Sequence, residues 1–426
     1  MTPPGDLARA RPVAVSGRVV GVTGGIVRAA LPLARVGERA RVLREGAPLD
    51  VEIIGFDERA ASLAPLGETA GVRLGDVVEP VEAPLTVRVG EGCLGRVLGP
   101  LGAPVDGRGP LEGGREAPLR RAPPALTERR PVTRQLVTGL RVIDALAPLG
   151  EGQRVGLFAP SGAGKSTLLA RLAAASGADV VVLGLVGERG REAAELAARV
   201  TSSAGARAVV IVATSDAPPL ARVCAAECAT AIAEGFRDTG RRVLLAVDSI
   251  TRVARALREL GLAAGEPPAR RGFPPSTFSY LPRLFERAGA TATGTITAIY
   301  SVLVEGDDPD EPVADEVRGL LDGHLVLSRG LLARGVVPPV DPVASLSRVS
   351  VTPEDVTAQR RRCVAWLATL EQKRELVALG GHAPGRDPLL DEALSMERGL
   401  DALVRQPDAS PAPLAETRRM LEQLTR

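Results

Sequence analysis

Apolar positions follow two rhythms along the chain. Residues 13–82 carry short apolar stretches broken by Gly and Pro, among them "VAVSGRVVGVTGGIVRAALP" and "ARVLREGAPLDVEIIGFDE". Short strands at even spacing predict a small β-barrel or sandwich domain over residues 1–82. The rhythm then fades into "GRVLGPLGAPVDGRGPL" and an Arg- and Pro-rich stretch, which reads as a connection through residue 134. From about residue 138, strand-length apolar runs ("RVGLF", "ADVVVLGLV", "RAVVIVATS", "RRVLLAVDS", "TITAIYSVLV") alternate with helical stretches such as "REAAELAARV". Apolar strands joined by helices predict a parallel α/β sheet buried on both faces. Residues 83–350 are therefore assigned to one α/β domain. The remainder, 351–426, reads as helices, with "PEDVTAQRRRCVAWLATLEQKRELVAL" and "DPLLDEALSMERGLDALVRQ" separated by a loop. There is no internal repeat.

Candidate chemistry enters at "GLFAPSGAGKSTLLARL", residues 156–172. A strand, a turn of small residues and a helix follow one another here, which is the context of a phosphate-binding P-loop. Gly162 and Gly164 allow backbone angles that point loop amides at phosphate oxygens, and the helix N-terminus adds its dipole. Composition sharpens this reading. Of 53 Lys and Arg residues only Lys165 and Lys373 are lysine. A compact ammonium fits a tight phosphate loop where the planar fork of arginine does not. Ser166 offers a hydroxyl to Mg²⁺. The strict motif begins with Gly six residues before the lysine, and Ala159 stands there, followed by Pro160. Asp248 ends "RRVLLAVDS" and suits the Mg²⁺-shell aspartate of a nucleoside triphosphatase. Glu188 and Arg189 end another strand, in "VGERGRE". A carboxylate there can polarise water and the guanidinium can contact a γ-phosphate. Position alone does not separate that role from a solvated charged loop.

The remaining composition mostly excludes. A length of 426 residues accommodates two or three domains. The net charge of +2 and 2% aromatic content speak against a nucleic-acid partner, which needs a basic footprint or stacking platforms. No apolar run approaches the ~18 residues of a membrane-crossing helix, and the first residues lack a signal-peptide core, so an intracellular protein is expected. Cys224 and Cys228 lie four apart on a predicted helix. They read as small buried residues rather than half of a metal site, because His324 and His382 are distant in sequence.

The blocks "GLFAPSGAGKSTLL", "VGERGRE", "VDSITRVARALRELGLAAGEPPARRGFPPSTFSYLPRLFERAG", "EPVADEVRGLLDGHLVLSR" and "DPVASLSRV" occur in this order over nearly the whole chain. In them the chain resembles the type III secretion system ATPases, close relatives of the flagellar export ATPase and of the F-type ATP synthase catalytic subunit. "EPVADEVR" leans toward the virulence-type branch. Ala at the position of Ala159 is common in these export ATPases. The resemblance implies a RecA-like P-loop core with an N-terminal small β-barrel and a C-terminal helical domain, ATP and Mg²⁺ as ligands, and ATP hydrolysis that strips chaperones from export substrates and unfolds them. It places the nucleotide on Ser161, Gly162, Ala163, Gly164, Lys165, Ser166 and Thr167, with Ser166, Asp248 and Glu192 toward the metal. Glu188 becomes the catalytic glutamate, Arg189 an accessory contact, and Arg252 a neighbour of the γ-phosphate.

Arg348, in "SLSR", matches the arginine finger that reaches into a neighbouring subunit's site. A chain holding both a glutamate base and such a finger implies a self-sufficient ring, a homohexamer with sites at its interfaces. At Val337 relatives carry an aromatic residue that stacks on adenine. About 12 residues precede the first barrel strand, where relatives dock a stator-like regulator and touch membrane. The implied partners are therefore other copies of the chain, a central stalk protein, chaperone–substrate complexes and the regulator, with peripheral membrane association left open. The implied location is cytoplasmic, at the inner face of the cell membrane. A rotary ATP-synthase-type subunit, a ring-shaped RNA helicase and a nucleotide-binding ring subunit without turnover remain the rival readings.

Overall fold

The computed structural model describes residues 15–81, 83–304, 311–407 and 410–426. The N-terminal residues expected to meet a regulator or membrane lie outside them. Strands β1 (Gly17–Thr23), β2 (Ile26–Ala30), β3 (Arg39–Leu43), β4 (Leu49–Phe56), β5 (Ala61–Pro65) and β6 (Val77–Val81) close into a barrel in the order β1-β2-β5-β4-β3-β6. Its interior is filled by Val19, Val27, Val42, Val51, Leu63 and Val78. Closure removes both free sheet edges, which a six-strand sheet of short strands otherwise exposes.

The stretch read as a mere connection is more structured than its sequence suggests. It holds β7 (Thr86–Val89), β8 (Val97–Leu98) and β9 (Arg115–Pro118). β7 and β9 pair as a ribbon, while β8 joins the main sheet beside β14 (Ala208–Thr214), with Val97 opposite Val210. Strands of two to four residues between Gly and Pro are too short to show alternation. Next come β10 (Gln135–Leu136), helix α1 (Arg141–Leu146) and β11 (Leu149–Gly150).

The main sheet adds β12 (Arg154–Ala159), β13 (Val180–Glu188), β15 (Arg242–Asp248), β17 (Thr295–Leu303), β18 (Gly323–Leu327) and β19 (Val340–Ser347), ordered β19-β18-β12-β17-β15-β13-β14-β8. All are parallel except β19, which runs antiparallel to β18; β16 (Gly289–Ala290) also turns back antiparallel onto β17. The expected parallel sheet is thus the centre of a mixed one. β18 and β19 escape a hydrophobic scan because one has five residues and the other is interrupted by Pro342 on an edge.

Helices α2 (Lys165–Ala175) and α3 (Gly190–Ala204) cover one face of the sheet; α4 (Pro219–Arg237), α5 (Ile250–Ala263), α6 (Pro275–Phe285) and α7 (Pro312–Leu320) cover the other. β13 shows why both faces are covered. Val180, Val182 and Val186 enter one core, and Val181, Leu183 and Leu185 enter the other. Each such burial contributes about 1.5–3 kcal/mol. Cys224 and Cys228 are buried on α4 within this packing, and burial pushes both thiols up, which leaves them inert.

After α8 (Arg329–Ala333), the C-terminal part is α9 (Glu354–Gln372), α10 (Arg374–Ala378), α11 (Pro388–Val404) and α12 (Leu414–Thr425). α9 and α11 correspond to the two helices expected; α12, in "LAETRRMLEQLT", adds a third. Trp366 is buried between them, its Nε1 donating to Glu392 Oε2 at 3.1 Å.

Candidate functional site

The carboxyl ends of β12, β13 and β15 converge, as parallel strands in an α/β sheet place their loops at a ligand crevice. Residues 160–164 leave β12 and enter α2. Gly162 (φ 77°) and Gly164 (φ 82°) adopt left-handed backbone angles, the latter as the residue capping α2. Ala163 is buried beneath the loop, while Ser161, Ser166 and Thr167 are exposed to the crevice. The crevice, of about 490 Å³, is lined by the loop together with Glu188, Glu192, Glu195, Leu196, Arg199, Arg252 and Leu303.

Four charges sit at its floor. Lys165 Nζ donates to Asp248 Oδ1 at 2.5 Å and reaches Glu188 Oε1 at 3.4 Å. Arg252, on the first turn of α5, donates to the same Glu188 oxygen. Glu188 owes its aim to a bulge. β13 and β14 lose register between Val186 and Glu188, and the extra residue is Gly187, at φ 70°. A bulge re-aims the side chain that follows it. A Cβ on Gly187 would come within 2.6 Å of Arg252 Cδ, so glycine also lets Arg252 lie against the strand.

Asp248 is fully buried. Its Oδ1 also accepts from Ser301 Oγ at 2.5 Å, while Oδ2 has no partner. A buried carboxylate oxygen left unpaired is costly, and a hydrated divalent cation would satisfy it. With the Ser166 hydroxyl in the same crevice, the donor set is all oxygen, which suits Mg²⁺.

The other expected residues are placed less uniformly. Glu192 lines the crevice but is half exposed. Arg189 points outward, its side chain 82% exposed and 3.5 Å from Glu192 Oε1, and it does not line the crevice. Val337 lies half-buried on the loop after α8, its carbonyl accepting from the Gln406 amide at 2.7 Å; two residues on, Pro339 rests against Gly164. Arg348 follows β19, whose Ser347 pairs with Gly323 at the start of β18. It therefore sits at the sheet edge opposite the P-loop, one length of β12 away, about 17 Å. It does not reach the crevice of its own chain.

Sequence reading passed over four participants. Ser301 is a buried hydroxyl near the end of β17, one step past the Val247–Tyr300 pairing that sets it beside Asp248. Glu195 and Arg199 continue the α3 face that starts at Glu192, three and seven residues on, so helical spacing carries them. Arg329 is tertiary in origin: its Nε donates to the Ser161 carbonyl at 2.8 Å and braces the phosphate loop from α8.

Residues 139–347 match the ATP synthase alpha/beta family, nucleotide-binding domain, and residues 351–423 match the T3SS EscN ATPase C-terminal domain. The chain is 44% identical over 415 residues to the type 3 secretion system ATPase of Pseudomonas syringae pv. tomato, covering 95% of this chain and 92% of that protein. It is 43% identical over 424 residues to the flagellum-specific ATP synthase of Treponema pallidum, covering 98% of this chain and 95% of that protein. The assembled ATPase EscN of the enteropathogenic E. coli type III secretion system superposes with a TM-score of 0.91 at 38% identity, covering 96% of this chain and all of that one. EscN in complex with its central stalk EscO gives 0.88 at the same identity and coverage.

Proposed function

Since the chain belongs to the ATP synthase alpha/beta family, in the branch of type III secretion and flagellar export ATPases, we propose that it is the ATP hydrolase of a type III protein-export apparatus, acting as a homohexameric ring. The observation that carries this reading is the cluster at the crevice floor, where a P-loop lysine and Arg252 hold Glu188 beside a buried Asp248 with one free oxygen. A subunit that only bound nucleotide would have no use for that glutamate.

The P-loop amides and Lys165 bind and orient the β- and γ-phosphates. Lys165 leaves Asp248 for the phosphate, which frees the aspartate for the metal shell. Mg²⁺, when bound, neutralises developing phosphate charge; Ser166 and Asp248 would hold it, with Glu192 at the outer side. Glu188 takes the proton of the attacking water, and its bond from Arg252 fixes its direction. Charge on the transferred phosphoryl group is met by Arg252 and by Arg348 of the neighbouring copy. Arg189 is assigned to the subunit contact beside the site, consistent with its exposure. Val337 gives adenine an apolar wall in place of a stacking ring.

The barrels form the ring's collar. The C-terminal helices meet the central stalk and the chaperone–substrate complexes that the ring separates, at the inner face of the membrane. The "EPVADEVR" segment favours virulence-type export over the flagellar alternative. ATP turnover per subunit, measured against protein concentration with Mg²⁺, tests the proposal: specific activity rises as rings assemble. A flat profile at every concentration removes the shared site, and turnover that RNA stimulates removes the export role.

A further inference from the structure

A second crevice lies where the barrel meets the main domain. It has a volume of about 510 Å³, within the size range of small-molecule sites. Glu52 on β4 forms part of its wall. Along that strand Val51 and Ile53 point into the barrel, so Glu52 points outward, where solvent would be expected. The main domain covers it instead, and it is only 6% exposed.

The charges at this inner end do not balance. Arg120 donates to Glu52 Oε1 at 2.7 Å and to both oxygens of Glu227 on α4, at 2.9 and 3.0 Å. Tyr280 OH adds a bond to Glu227 at 2.8 Å. One guanidinium thus serves two carboxylates. Glu52 Oε2 is buried and has no hydrogen-bond partner. The other cations facing the crevice are committed or peripheral. Arg287 is held by Glu234 at 2.7 Å, Arg121 by Asp238 at 2.7 Å, and Arg283 stands exposed at the rim. Glu266, the remaining acid, accepts from the Ser276 amide at 3.3 Å. The rest of the wall is mainly apolar, from Ile54, Leu220, Val223, Leu257 and Leu260.

We propose that this crevice binds a small organic cation, an amidine, guanidine or primary amine on an apolar body, with its charged group donating to Glu52 Oε2. Such a molecule pairs the orphaned oxygen and supplies the missing positive charge, while its body displaces water from the apolar wall. Burial holds the Glu52 carboxyl above its usual range despite Arg120, so a bound cation favours its ionised form and draws off the proton wherever one is held. The ligand bridges β4 to α4 and α5, and its occupancy ties the barrel to the catalytic domain. The site is separate from the nucleotide crevice and does not depend on how ATP is turned over.

The test titrates the full chain with benzamidine, with its neutral analogue benzamide and with benzoate, by calorimetry. Benzamidine should bind saturably, raise the melting temperature and bind more tightly as pH rises from the acid side, while benzamide and benzoate do not compete. Glu52→Gln should weaken benzamidine at least about tenfold, the loss of one charged hydrogen bond. Leu257→Trp, which fills the crevice and leaves Glu52 in place, should abolish binding without changing ATP turnover, and it decides the matter if the Glu52 variant does not fold. Benzamidine that fails to bind at millimolar concentration, binds Leu257→Trp unchanged, or is displaced by benzoate overturns the proposal.

Discussion

The two edges of the main sheet treat charge in opposite ways. At the amino-terminal edge, Arg154 and Arg242 begin β12 and β15. Each donates from its backbone amide and from two guanidinium nitrogens to one aspartate, Asp322 and Asp179 respectively. Both guanidinium groups there are held by carboxylates, and the Arg242 guanidinium beside Asp179 holds that carboxyl below its usual range. At the carboxyl edge, Lys165 is shared by two acids, Glu188 is shared by two cations, and Asp248 keeps an unpaired oxygen. Saturated pairs fix strand ends in place. A cluster with unmet demand is poised to exchange partners when a charged substrate arrives.

Breaking the contrast at the catalytic edge has the largest effects. Arg348→Ala should lower ring turnover by about 10³-fold or more while nucleotide affinity in isolated subunits is unchanged, as steady-state rates and fluorescent-nucleotide titration will show. Glu188→Gln should lower kcat about 10³-fold and leave ATP bound. Gly187→Ala crowds Arg252 and turns Glu188 away, and a loss near 10² in kcat is expected with the fold intact by circular dichroism.

At the other edge the sign of the result changes. Arg154→Ala should cost about 2 kcal/mol in denaturant unfolding, because Asp322 loses its guanidinium and Glu286 keeps only Arg129, yet turnover per folded molecule should hold. The last effect is a slope spread over the acid range. Asp144 is buried on α1, and burial raises its carboxyl to about 6 although it accepts from Thr138 and Gly139. The folded state therefore holds this proton more tightly than the unfolded one. The group's contribution is present below the unfolded value and is lost as pH rises toward about 6, by up to ~3 kcal/mol. In Asp144→Asn that part of the pH dependence of the melting temperature should vanish, whatever the variant's absolute stability.

What the chain discloses without coordinates follows the same division. β12, β13, β15 and β17 announce themselves because burial on both faces makes them uniformly apolar. The P-loop does so because its glycines and its lysine answer a local geometric demand. β8 and β19 do not, being short or broken edge strands whose pairing is set by distant partners. Within the site, Glu188 and Asp248 stand at strand ends and Lys165 opens the helix after one, places where motif and position coincide. Gly187 and Ser301 do not stand out: one is a glycine among 47, and the other matters only through a register across two strands. Arg329 depends on how α8 folds back on Ser161, a contact 168 residues long in sequence.

The placement of Arg348 opposite its own P-loop has a consequence for assembly. A contact in which one copy offers its crevice and the next offers the far edge of its sheet joins unlike surfaces, head to tail. Such contacts never pair off into a two-fold dimer; they add copy to copy and form a ring where the rotation between neighbours closes. In the proposed ring the circle then has a sense of direction: each subunit's chemistry would answer to the neighbour on one side and serve the neighbour on the other, so a disturbance at one site would have a defined next recipient.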